Sequence, residues 1–231
     1  MTNKQFFQLS EEGKNTRNFF INPDNLYRLY AQNYGVEWTS AIYHYVMGNP
    51  PYDFKDLPLL YEQVKQFVAF KLNVPYDSIR LTGSGKTGFS MDPKQYGRPF
   101  SEKSDLDFVI VNDGLFDGLC EDVRKWMRDY VTGAVSPTKH YNKSNWDSNY
   151  DNFPSNMESG FVDAFRLPSF PQYSTAYSIH TLMIRLTANL KEFQNIVVDH
   201  STVRVYRDIK SFYDRILYNI NSAMAKVAES R

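Results

Sequence analysis

Apolar positions in the first third of the chain recur at helical spacing and are cut by breakers. Asn22-Pro23 supplies an N-cap followed by proline at the first helical position, and Gly35 supplies a stop, so a helix is expected between them. A second helical segment runs from Glu37 to Met47 and ends before Gly48 and Asn49-Pro50-Pro51. A stronger one spans about residues 56–72, with Leu60, Val64, Phe67, Val68 and Leu72 on one face and Pro75 preventing continuation. The period then shortens. Residues 78–82 (SIRLT) read as a strand feeding Gly83-Ser84-Gly85, and 105–111 (DLDFVIV) read as the best strand in the chain, ended by Asn112-Asp113-Gly114. Leu115, Leu119, Val123, Trp126, Met127 and Tyr130 then share a helix face that Gly133 closes.

Residues 134–175 carry Ser, Asn, Pro and aromatics with no sustained period, and a stretch that long hides short elements, a lid or a binding loop. Helical spacing returns at Ile179, Leu182, Met183, Leu186, Leu190 and Phe193. Residues 202–206 (TVRVY) alternate as a strand, and Ile209, Phe212, Ile216, Ile220, Met224 and Val227 mark a final amphipathic helix. The expected fold class is α/β (α+β): a small mixed sheet flanked by helices, with helical N-terminal and C-terminal elaborations. The expected divisions are a helical elaboration at 1–55, a core at 56–133, and at 134–231 an aromatic segment, a late strand and helices packed with the core.

Composition narrows the function. The 231 residues carry 26 basic and 26 acidic side chains, which excludes a chain-wide basic footprint for nucleic acid but leaves room for a local groove. One cysteine, Cys120, forms no internal disulfide, and its expected role is a buried thiol. No apolar run reaches the about 18–20 residues that cross a bilayer, and the first residues lack the pattern of a signal peptide. A cytoplasmic protein without a membrane partner is expected. Aromatic residues make up 16% of the chain, and those between Tyr141 and Tyr177 either pack that segment onto the core or stack on a base.

Gly83-Ser84-Gly85-Lys86-Thr87 imitates a phosphate-binding P-loop. That motif needs a glycine at position 80, where Arg80 stands, and a helix after it, whereas Gly88-Phe89-Ser90-Met91-Asp92-Pro93 is poor helix material. The same turn makes better sense with Ser104-Asp105-Leu106-Asp107. Carboxylates at i and i+2 of a strand leave one face, where they repel unless a cation lies between them. Hard oxygen ligands suit Mg2+, which takes one or two carboxylates plus substrate phosphates.

Gly83-Ser84 followed by Ser104-Asp105-Leu106-Asp107-Phe108-Val109-Ile110 resembles the GS…DxD signature of the polymerase-β-like nucleotidyltransferase superfamily, over about residues 57–131. The resemblance implies an enzyme that moves an NMP from an NTP to an acceptor hydroxyl with release of pyrophosphate. It implies Asp105 and Asp107 as catalytic metal ligands, Mg2+ or alternatively Mn2+ as cofactor, and Gly83 and Ser84 as nucleotide-binding. Lys86, within the turn, and Ser104, at the DxD strand's start, join them as nucleotide-binding candidates. It is similar to stand-alone bacterial members, among which are nucleotide-signal synthases of anti-phage defence and antitoxin-type transferases that act on a partner protein encoded nearby. The neutral charge favours a small nucleotide or protein acceptor over a long nucleic acid. The alternative is a catalytically silent module of the same fold that senses a nucleotide or neutralises a partner.

Two departures from the family pattern stand out. Residues 90–100 lengthen the gap between Ser84 and Asp105 and carry Lys94 and Arg98, either over the nucleotide or as a surface loop. The third carboxylate of active members has three candidates, Asp163, Asp199 and Asp208; otherwise the site works with two Asp residues or has lost catalysis. Arg204 and Arg207 either bind a nucleotide or pair with nearby acids. His44, His140, His180 and His200 show no metal-ligand spacing.

Overall fold

The computed structural model describes residues 9–15, 18–32, 35–48, 50–138 and 140–230, without the side chains of Glu12, Asn15, His140 and Tyr141. Four strands form one mixed sheet in the order β1-β2-β4-β3: β1 Ile79–Thr82, β2 Leu106–Val111, β3 Phe161–Asp163 and β4 Ser201–Tyr206. β1 runs antiparallel to β2, β2 parallel to β4, and β3 antiparallel to β4. The fold is α+β, as the period changes predict.

Helices cover both faces of the sheet. The N-terminal ones are α1 Glu11–Asn15, α2 Pro23–Gln32 and α3 Val36–Ile42, the last continuing as a wider turn through Tyr43–Gly48. They are followed by α4 Pro58–Leu72, α5 Gly83–Thr87, α6 Asp113–Val131, α7 His140–Glu158, α8 Ser174–Gln194 and α9 Ile209–Ser230. One face of the sheet, with Leu81, Phe108, Ile110, Val203 and Val205, is packed under α4, α6 and α8. The other, with Val109, Phe161 and Tyr206, lies under α2, α3 and α9. A strand buried on both faces needs an apolar run rather than alternation, which is why β2 reads as LDFVIV. The N-terminal helices α2 and α3 thus pack on the same face of the sheet as α9, whereas Phe54 joins the core on the opposite face.

Local chemistry fixes the element ends. Asn22 and Asn112 cap α2 and α6, accepting the N–H groups of Asn25 and Leu115, each at 2.8 Å. Buried Asp122 on α6 accepts the Ala176 N–H at 2.9 Å, tying the start of α8 to α6.

Two elements differ from the sequence expectation. Gly83–Thr87 is a one-turn helix rather than an open turn, closed by Gly88 at φ 87°. Residues 134–175 contain the 19-residue helix α7 and strand β3. Trp146, Tyr150, Phe153 and Met157 on α7 do keep helical spacing, but Pro154 and the many polar residues between them dilute the signal. Their rings meet Trp126 and Tyr130 of α6, with Trp126 centroids at 5.7 Å from Trp146 and 5.5 Å from Phe153. These aromatics pack core. Tyr141 lies outside the described side chains.

Candidate functional site

Strand pairing assembles the site. Parallel register sets Asp107 of β2 beside Thr202 of β4, and antiparallel register sets Arg204 of β4 beside Asp163 of β3. Alternation sends Asp107, Thr202, Arg204 and Asp163 to the sheet face covered by α9. There they line a cavity of about 260 Å3 with Thr82, Gly83, Met91, Tyr206, Asn219 and apolar residues from α9 and Val46.

Asp107 is the centre of this arrangement. Its Oδ1 accepts the Thr202 hydroxyl at 2.8 Å. On its other side a Cβ on Gly83 would lie 2.4 Å from Oδ2, and Gly83 also holds φ at 67°, so only glycine fits. Burial raises the Asp107 pKa; the Thr202 hydrogen bond opposes that, and the Asp105 and Asp163 carboxylates add to it. A desolvated carboxylate beside two others gains from a cation, so the donor set fits a divalent metal.

Asp105 precedes the strand, close enough for its charge to act on Asp107 but outside the cavity lining. Its Oδ1 lies 3.1 Å from Nδ1 of His200, which is also 3.3 Å from Asp199. These three, with ligand atoms all within 4.8 Å of one another, form a possible metal-holding group among the described residues. Burial raises the Asp105 pKa, with His200 and Arg98 opposing and Asp199 assisting. Backbone hydrogen bonds clamp the two segments, Leu106 N to His200 O at 2.9 Å and Asp199 N to Ser104 O at 3.0 Å. His200 offers no local spacing signal; its proximity to Asp105 follows from β4 running parallel to β2 one residue later.

Asp163 is the acid that joins Asp107 at the cavity; Asp199 goes to the Asp105 side and Asp208 pairs with Arg207 at 3.2 Å. Arg204 donates to Asp163 at 3.1 Å. Burial works against the Arg204 charge, but Asp163 and Tyr206 outweigh it and raise its pKa. The Tyr206 hydroxyl lies against this guanidinium and, with Asp163, helps to hold its charge.

The remaining predicted residues are dispersed. Ser84 is half-buried on the first turn of α5. Ser104 is buried, and its hydroxyl accepts the Ser101 N–H at 3.1 Å, closing a turn. Lys86 is 2% exposed, does not line the cavity, and has its pKa pushed down to about 8 by burial. The 90–100 excursion is held back on the chain, with Ser90 N to Arg98 O at 2.8 Å and the Tyr96 hydroxyl to Pro23 O at 2.7 Å, and brings Met91 to the cavity. His180 Nε2 donates to the Ala164 carbonyl oxygen at 3.1 Å and acts structurally.

Family models, curated proteins and solved structures return no match to the chain. What bears on function is therefore the site itself. Among the described residues no helix is long and apolar enough to cross a membrane.

Proposed function

We propose that the protein is a divalent-metal-dependent nucleotidyltransferase of the cytoplasm that moves an NMP from an NTP to an acceptor hydroxyl. The observation that carries this reading is Asp107, a buried carboxylate pressed against Gly83 in a cavity that also holds Asp163 and Arg204. Asp107 and Asp105 would hold Mg2+ or Mn2+, with Asp163 as a further carboxylate on the same face. When bound, the metal supplies charge stabilisation of the attacking and leaving oxygens. Gly83 and Ser84 would border the triphosphate. In the reaction the acceptor oxygen forms a bond to the α-phosphorus, the α–β phosphoanhydride bond breaks, pyrophosphate leaves, and the hydroxyl proton passes to base or solvent. The acceptor would be a small nucleotide or a protein, in keeping with the balanced charge, and a role in anti-phage signalling belongs to the same reading.

The second reading is a silent nucleotide-binding or antitoxin-like module, favoured by one observation: the Arg204 guanidinium already neutralises Asp163. Purified protein with Mg2+ and labelled NTPs separates the two. The enzyme releases pyrophosphate, and Asp105→Ala with Asp107→Ala abolishes the release. Equal turnover in that double variant rejects the assignment, and calorimetric NTP binding without turnover under any acceptor supports the silent module.

A further inference from the structure

Helices α4 and α8 pack side by side over the sheet face opposite the cavity, and their outer surfaces leave a groove. Two hollows of about 440 Å3 and 190 Å3 make it up and share Phe67 and Asn189. Leu72 of α4 and Tyr177 of α8 line the first, and Leu60 and Phe193 line the second, so the helices run antiparallel and the groove follows both. From Tyr177 to Phe193 it extends about 24 Å at the helical rise.

The fold does not account for what this groove exposes. Phe193 ends the apolar stripe of α8 and lines the smaller hollow, yet it is 67% exposed. Phe70 is 80% exposed, and the Lys71 ammonium lies 5.5 Å from its ring centroid and 6.0 Å from that of Phe67, which places both rings at the groove. Contiguous exposed apolar surface marks an interaction site. The charge is one-sided as well. Lys71 and Arg185 are exposed, both line the larger hollow, and neither forms an ion pair among the described residues. Among those residues no carboxylate lines either hollow; Glu62 is held by Lys65 at 3.1 Å, and Glu192 lies outside the lining.

An apolar furrow between two helices, with cations at one end, fits a third helix. A helix satisfies its own backbone groups, whereas an extended segment would press unpaired N–H and C=O groups against Phe67 and Leu190. About 17 residues of helix cover the length of the groove, with apolar side chains at i, i+3, i+4 and i+7 entering its floor. A helix C-terminus carries partial negative charge, so it and its flanking carboxylates belong at the Lys71–Arg185 end. We propose that the α4–α8 groove docks an amphipathic helix of a partner protein, its apolar stripe on the floor and its acidic C-terminal turns against Lys71 and Arg185. The groove and the cavity lie on opposite sides of the sheet, so the inference stands apart from the nucleotide reading.

Fluorescence anisotropy of the intact protein with labelled synthetic peptides tests it. One peptide is an amphipathic helix of about 18 residues with leucines on one face and glutamates in its last two turns; its control has lysines in place of the glutamates. The glutamate peptide is expected to bind about tenfold or more tighter than the lysine peptide. Lys71→Glu with Arg185→Glu is expected to reverse that order, and Phe193→Ser to weaken both peptides about tenfold. All three positions are exposed, so an unchanged Tm verifies the fold. Equal binding of the two peptides, binding that Phe193→Ser leaves unmoved, or no binding of either overturns the proposal. Sedimentation of the protein alone and flotation with phosphatidylserine vesicles examine the other occupants. A concentration-dependent dimer that Phe193→Ser dissolves makes the groove a self-association surface, and vesicle binding that charge reversal removes makes it a membrane surface. Either result also overturns the proposal.

Discussion

Asp53 sits in the short turn Tyr52–Phe54 that packs against α5, with Oδ2 buried and without a partner. Burial raises its pKa from 3.8 to about 6, and Lys55 only partly opposes that. The folded state therefore binds a proton that the unfolded state has already lost between those two values. The stability this contributes is complete below the unfolded pKa and declines as pH rises through about 6. Asp53→Asn keeps the shape and removes the charge. It is expected to raise stability at pH 7 by on the order of 1–3 kcal/mol and to flatten the profile between pH 4 and 6, read by urea unfolding across that range. An unchanged slope would mean that Asp53 is not the titrating group.

Elements were legible where a helix or strand carried its own signal. β2 announced itself through an uninterrupted apolar run with its N-terminal carboxylates, and α6 through a clean face and the Asn112 cap. β3 did not, because three residues ahead of a turn carry too little pattern, and α7 did not, because an aromatic stripe among asparagines and serines has little hydrophobic contrast. The candidate site divides the same way. Gly83, Asp105 and Asp107 are local to one strand–turn–strand passage. Asp163, Thr202, Arg204 and His200 reach it only through pairings between distant strands, which no local period encodes. The α6–α7 contact has a measurable weight. Trp146→Ala removes a partly buried ring that stands edge-on to Trp126 and Tyr130 and is expected to cost about 2–4 kcal/mol in thermal or urea unfolding, with nucleotide binding intact. Loss of binding would tie α7 to the site.

For the whole molecule, the cavity draws on β1, β2, β3, β4 and α9 together with Val46 from the N-terminal layer. A ligand held there stabilises the assembly as one unit. An NTP with Mg2+ at a hundred times its Kd is expected to add about 2.7 kcal/mol, seen as a rise in Tm of about 5–10 °C. With 26 basic and 26 acidic side chains, the shift is expected to change little between low and moderate salt, unlike binding through a basic groove. A steep salt dependence in scanning fluorimetry would point to a nucleic-acid substrate instead.

The position of α9 over the sheet also sets an order in time. Thr82 and Gly83 are made early, yet the wall formed by Ile216, Asn219 and Ile220 emerges from the ribosome only after all four strands. Contacts of such long sequence separation form late and close the longest loops. A chain growing from its N-terminus thus carries its carboxylates uncovered until α9 has been made and docks.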